Sequence, residues 1–130
     1  MRTWLYQTLS NDFTLQADLD NRFYQGESMD SSTVEKPFLV YTIGNATDEE
    51  LSEEPEGPER QFFQIYIHDE GADYTRIDRI VARVKTLLRN QSDKASGIIN
   101  VIYLETSRDL DDSTMNTILR YIRFVAIKEK

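Results

Sequence analysis

The sequence predicts an α+β domain: a mainly antiparallel sheet of four to five strands, packed against one long helix and short N-terminal helices. Three observations predict it. Residues 61–68 (QFFQIYIH) alternate apolar and polar side chains, as a half-buried strand does. From Ile77 to Leu88, apolar residues recur at spacings of three and four, as on an amphipathic helix. Two further runs, Ile98–Thr106 and Thr117–Ile127, are rich in β-branched and aromatic residues and follow that helix. The order of helix, two strands, helix, two strands gives the class.

The elements follow in chain order. Trp4, Leu5, Leu9 and Phe13 recur near helical period, and Asn11 or Asp12 can start a second turn with Leu15 and Leu19 inward. Arg22–Tyr24 reads as a short strand and Gly26–Thr33 as a polar loop. Pro37 opens PFLVYTIG, a strand with proline at its first position, where no ladder donor is lost. An acidic loop at about residues 45–59 joins it to the next strand in a predicted antiparallel hairpin. This loop holds Asp48, Glu49, Glu50, Glu53, Glu54, Glu56 and Glu59 with no basic residue, and Pro55, Gly57 and Pro58 besides. Self-repulsion and proline keep such a run solvated.

In the alternating strand, Phe63, Ile65 and Ile67 share one face; Phe62, Gln64, Tyr66 and His68 share the other. Asp73 is the candidate N-cap of the helix, and Asn90 can end it in left-handed geometry. Arg76, Arg79 and Arg83 line one flank of that helix; Lys85 and Arg89 line the other. In the last strand Ile118, Ile122, Phe124 and Ala126 face one way, opposite Leu119, Tyr121, Arg123, Val125 and Ile127. The stretch SRDLDDSTMN before it is polar and reads as the turn of a second hairpin.

The chain has 130 residues, 39% of them hydrophobic, enough for a single domain spanning residues 1–130 with one core. It lacks cysteine, so neither disulfides nor thiolate metal sites are available. The N-terminus has no long apolar run of the secretory kind, and no stretch has the roughly 18 apolar residues of a membrane span. A formal charge of −8 repels nucleic-acid phosphate and anionic lipid, which argues against DNA binding and a membrane partner.

Catalytic chemistry finds little footing. His68, the lone histidine, has no nucleophile or carboxylate orienting it in the pattern and reads as structural or simply exposed. Asp109, Asp111 and Asp112 resemble part of a hard-cation site, but the calcium-loop glycine and closing glutamate are missing, and a polar loop explains them. Glycines are isolated, so no phosphate-cradling loop is formed. The expectation is no enzyme, no cofactor and no metal. The Arg76, Arg79, Arg83 row reads as a subunit contact, a solvated face or one salt-bridged to an acidic neighbour, or, less consistently with the net charge, a phosphate contact. Phe62, Tyr66 and Tyr121 mark either a protein-binding sheet face or a face that the N-terminal helices cover.

The order and spacing of these segments resemble the tail terminator (tail completion) proteins of long-tailed bacteriophages. WLYQTLSNDFTLQADLDNRFYQG is similar to that family's opening helices and first strand, and PFLVYTIG to its proline-led strand. QFFQIYIHDEGADYTRIDRIVARVKTLL is similar to its strand–glycine–helix core, and TILRYIRFVAI to its closing strand. The resemblance implies a ring, usually sixfold, that caps the tail tube, ends its elongation and offers the surface that joins tail to head. Its partners would be copies of itself, the tail tube protein and a head-completion or connector protein. The genome would pass through the bore unbound, and the protein would reside in the virion tail or neck after assembly in the host cytoplasm.

On that reading Arg76, Arg79 and Arg83 make intersubunit ion pairs, and Phe62, Tyr66 and Tyr121 make apolar contacts. Glu53, Glu54 and Glu56, with Asp109, Asp111 and Asp112, form an acidic docking loop or line the bore. Pro37–Ile43 would be an edge strand free to pair across subunits, and Arg79→Glu would lower ring formation without lowering the melting temperature of the monomer. A head-side neck protein, such as a head-closure or adaptor ring, is the nearest alternative. An acidic inhibitor that mimics DNA is the alternative of another class, although its carboxylates would be spread out rather than gathered in one loop. A small metal-dependent enzyme using the three aspartates is a third.

Overall fold

Caps and apolar spacing set most element boundaries. The computed structural model describes residues 1–26, 35–46, 58–70, 74–112 and 117–129, leaving aside the side chains of residues 45 and 46. Helix α1 spans Arg2–Ser10 and α2 spans Phe13–Leu19. Asp12 caps α2 by accepting the Leu15 N–H at 3.0 Å. That cap starts a new helix and resets the phase of the apolar stripe. Leu15 and Leu19 therefore point inward with Trp4, Leu5 and Leu9, whereas Phe13 is 88% exposed instead of continuing the α1 stripe.

The strands are β1 (Phe23–Gln25), β2 (Phe38–Ala46), β3 (Glu59–Asp69), β4 (Ile98–Thr106), β5 (Leu110–Asp112) and β6 (Thr117–Lys128). Helix α3 spans Tyr74–Leu88 and is the longest of the three described helices. The sheet runs β1-β2-β3-β6-β4, with β5 also on β6. The predicted hairpin partners β2 and β3 are antiparallel, with Leu39 opposite Ile67 and Tyr41 opposite Ile65. β6 lies between β3 and β4, antiparallel to both.

Three expectations need correction. The sheet is mixed and six-stranded, because β1 runs parallel to β2, pairing Phe23–Gln25 with Leu39–Tyr41. Part of the stretch read as a polar turn is strand β5, with Leu110 opposite Leu119 on β6. The segment Pro37–Ile43 is not a free edge at its centre, since β1 pairs with Leu39–Tyr41 on one side of β2 and β3 lies on the other. The short strand expected at Arg22–Tyr24 is β1, one residue further on, but three residues carry no signal of direction, so its parallel pairing with β2 was not visible in advance.

All three helices lie on one face of the sheet. Ile77, Ile80, Val81, Val84 and Leu88 of α3 are buried in one cluster with Phe63, Ile65 and Ile67 of β3, Ile122 and Phe124 of β6, and Leu5, Leu9 and Leu15 of the N-terminal helices. Each such aliphatic side chain contributes roughly 1.5–3 kcal/mol on full burial. Asn90 ends the helix with φ 62°, as its position predicts, and its N–H bonds the Val101 carbonyl of β4. The proposed Asp73 cap lies outside the described residues.

Candidate assembly surfaces

The arginine flank of α3 is occupied within the chain. Arg76 donates from Nε to Asp69 Oδ2 at 2.8 Å and from Nη2 to Oδ1 at 2.5 Å. Arg79 grips Asp18 of α2 in the same fork, at 3.0 and 2.6 Å. Arg83 grips Asp12, the α2 cap, at 2.9 and 2.5 Å. Bidentate geometry of this kind is the strongest form of arginine–carboxylate pairing. The hydrogen bond from Arg83 holds the Asp12 carboxyl below its ordinary range, although partial burial opposes it. Reciprocally, the carboxylate bonds hold the three guanidinium groups above theirs.

This row therefore locks α3 to the end of β3 and to α2. Its charges have partners without any neighbouring subunit. The acidic partners named from sequence, Glu53, Glu54 and Glu56, lie outside the described residues. The carboxylates that do pair, Asp12, Asp18 and Asp69, carry no joint sequence signal, because the contacts span up to 71 positions. A helix row spaced 76, 79, 83 was a visible half of the feature; its partners were not.

The opposite face of the sheet carries the predicted aromatic group. Phe62 is 37% exposed. Tyr66 and Tyr121 are half-buried, their ring centroids 6.0 Å apart at 49°. Arg123 lies 5.3 Å from the Tyr121 ring centroid and pairs with Glu105 at 2.9 Å. The N-terminal helices do not cover this face; their apolar residues join Phe63 and Ile65 on the other side. Along a cross-strand row, Phe62 stands opposite Val125, which stands opposite Ile102.

His68 sits toward one end of that face and is buried. It stacks on Phe38 at 4.6 Å, and its Nδ1 is 2.9 Å from the Thr117 hydroxyl. Burial pushes its pKa down to about 4, against a smaller upward pull from Asp112. It is neutral at pH 7 and packs as an aromatic ring, buried rather than exposed, of the two roles read from the sequence. Asp109 lies 3.8 Å from Arg120, which also binds Asp78 at 2.5 Å. Asp111 and Asp112 pair along β6 with Ile118 and Thr117. Among the described residues no group of three or more His, Asp or Glu converges as a metal would require.

Strand β4 holds a surface the sequence reading did not single out. Ile99, Ile102 and Leu104 are 47%, 41% and 45% exposed on the outermost strand. Register breaks between Ile98 and Asn100 and between Tyr103 and Glu105 turn these side chains outward while Ile98 and Val101 stay buried. The one available signal was that IINVIYLET is apolar at odd and even positions alike, more than one buried face needs.

The whole architecture has a counterpart among solved structures. The fold is that of a chain in the virion of a native gene transfer agent (GTA) particle. The match has a TM-score of 0.75 at 15% identity and covers 97% of this chain and 92% of the other. At that identity the likeness establishes the fold. No protein-family model and no curated protein matches the chain.

Proposed function

We propose that this chain is a virion structural protein of a phage-like particle, forming a ring that caps the tail tube, ends its elongation and presents the surface for joining the head. The observation that carries this reading is the fold likeness to a virion chain over nearly the full length of both. The segment-by-segment resemblance to tail terminators narrows it to the tail end. The exposed apolar residues of β4 and Phe62 support an assembly role, because a domain of this size rarely leaves contiguous apolar surface without a partner. The net charge of −8 suits a bore that DNA must traverse without sticking. On this reading the chain runs no reaction of its own.

A head-side neck ring draws on the same fold likeness, and partner choice separates the two. Tagged chain incubated with purified tail tubes and, separately, with the head-side connector should be retained by tube ends. Retention by the connector alone would move the assignment to the neck, and retention by neither would overturn both.

A further inference from the structure

Large exposed apolar residues form separate groups at the β4 edge and on the N-terminal helices. Ile99, Ile102 and Leu104 stand on β4, with Phe62 in the same cross-strand row as Ile102. Tyr6 and Phe13 stand on the α1–α2 hairpin. Tyr74, at the start of α3, belongs to neither. On the helix face the arginine flank of α3 grips α2, while its other flank places Lys85 Nζ 4.3 Å from the ring centroid of Tyr103 on β4; Ile102 and Phe62 lie on the opposite face of the sheet. The sheet repeats the division, with β1 at one edge and β4 at the other.

Charge follows the same split. Beside β4, a shallow hollow on α3 is lined by Ala82, Lys85, Thr86 and Arg89, and among the described residues Lys85, Arg89 and nearby Lys94 have no carboxylate within ion-pair distance. On the hairpin side, Asp20 and Glu35 are 86% and 85% exposed and share Arg22 at 3.9 and 3.6 Å. Placing β4 against β4 of a second copy would bring like charges together, whereas hairpin against β4 brings opposite ones. The two register breaks in β4 also interrupt the ladder that an added strand would follow, so side chains rather than backbone pairing must make the contact.

Resting on the ring reading above, we propose that copies of this chain join head to tail. The β4 edge of one copy, through Ile99, Ile102 and Leu104, receives Phe13 from the next, with Asp20 turned toward Arg89. A contact between two different surfaces of one chain is the kind that closes into rings.

The test uses light-scattering mass for the full chain and for Phe13→Asp and Ile102→Asp, two exposed positions whose substitution leaves the core intact. Unchanged melting temperatures of the monomeric variants would verify their folding. Each variant alone should weigh 15.2 kDa, and an equimolar mixture should weigh twice that, since one sound surface remains on each chain. A second pair, Arg89→Glu and Asp20→Lys, should each weaken assembly and restore it when combined in one chain. Assembly of the parent chain that survives both apolar substitutions would overturn this interface and leave the ring reading standing. Self-association by Phe13→Asp alone would also overturn it, in favour of a β4–β4 contact. A parent chain that stays at 15.2 kDa at every concentration would overturn interface and ring together.

Discussion

Removing the Arg76 side chain should destabilise the isolated domain, through a carboxylate left behind rather than through lost surface charge. Asp69 is 1% exposed at the end of β3 and holds the Arg76 fork at 2.8 and 2.5 Å; among the described residues it also accepts the Glu70 N–H at 2.7 Å. Breaking a buried ion pair by deleting one partner costs about 3–5 kcal/mol. Arg76 itself is 39% exposed, so water replaces part of what it supplied, and the expectation drops to about 2–3 kcal/mol. With an unfolding entropy near 2.1 cal/mol/K per residue, a domain of this length loses about 1 °C for each ~0.3 kcal/mol. Arg76→Ala should therefore lower the melting temperature by roughly 7–11 °C, read by circular dichroism at a concentration where the chain is monomeric. Adding Asp69→Asn should recover part of the loss, because no charge is then buried alone. A melting temperature within about 2 °C of the parent, with a loss of assembly instead, would refute the intramolecular clamp and return Arg76 to the subunit interface.

The remaining predictions concern the same clamp and the buried histidine. Arg79→Glu places a carboxylate against Asp18 and should lower the melting temperature of the monomer as well as any assembly; the swap Arg79→Asp with Asp18→Arg should restore it. Asp12→Ala removes both the α2 cap and the anchor of Arg83, and urea unfolding should show a loss of at least about 1 kcal/mol from the cap alone. His68 takes up its proton in the unfolded chain near pH 6.5 but in the folded chain only near 4. Its contribution is thus constant above pH 6.5 and stability falls as pH drops from 6.5 to 4, by about 3 kcal/mol in all. Urea midpoints at pH 7.5, 6 and 5 should follow that decline, and His68→Gln should flatten it.

Long periodic segments were legible in the sequence because one residue choice serves both propensity and burial there. The α3 stripe from Ile77 to Leu88 and the facing of Phe63, Ile65 and Ile67 needed no tertiary information. The short strand at Arg22–Tyr24 was legible as β1, but its parallel direction escaped because three residues carry no period and its partner begins after residues 26–37. Phe13 was misread because a cap at Asp12 reset the helix phase. The arginine row was visible, but its meaning depended on aspartates brought close only by folding. The β4 surface stayed hidden because the break between Ile98 and Asn100 buries both Ile98 and Val101, three apart, so no single alternation over the strand tells which of its apolar residues face outward.

The most direct measurement is the mass of the purified chain by light scattering across a concentration series, with negative-stain images of the same samples. A ring-forming tail cap would give hollow rings at an integral multiple of 15.2 kDa, sixfold on the tail-terminator reading, that also sit on the ends of added tail tubes. Solitary 15.2 kDa particles at every concentration, with bare tube ends, would contradict it.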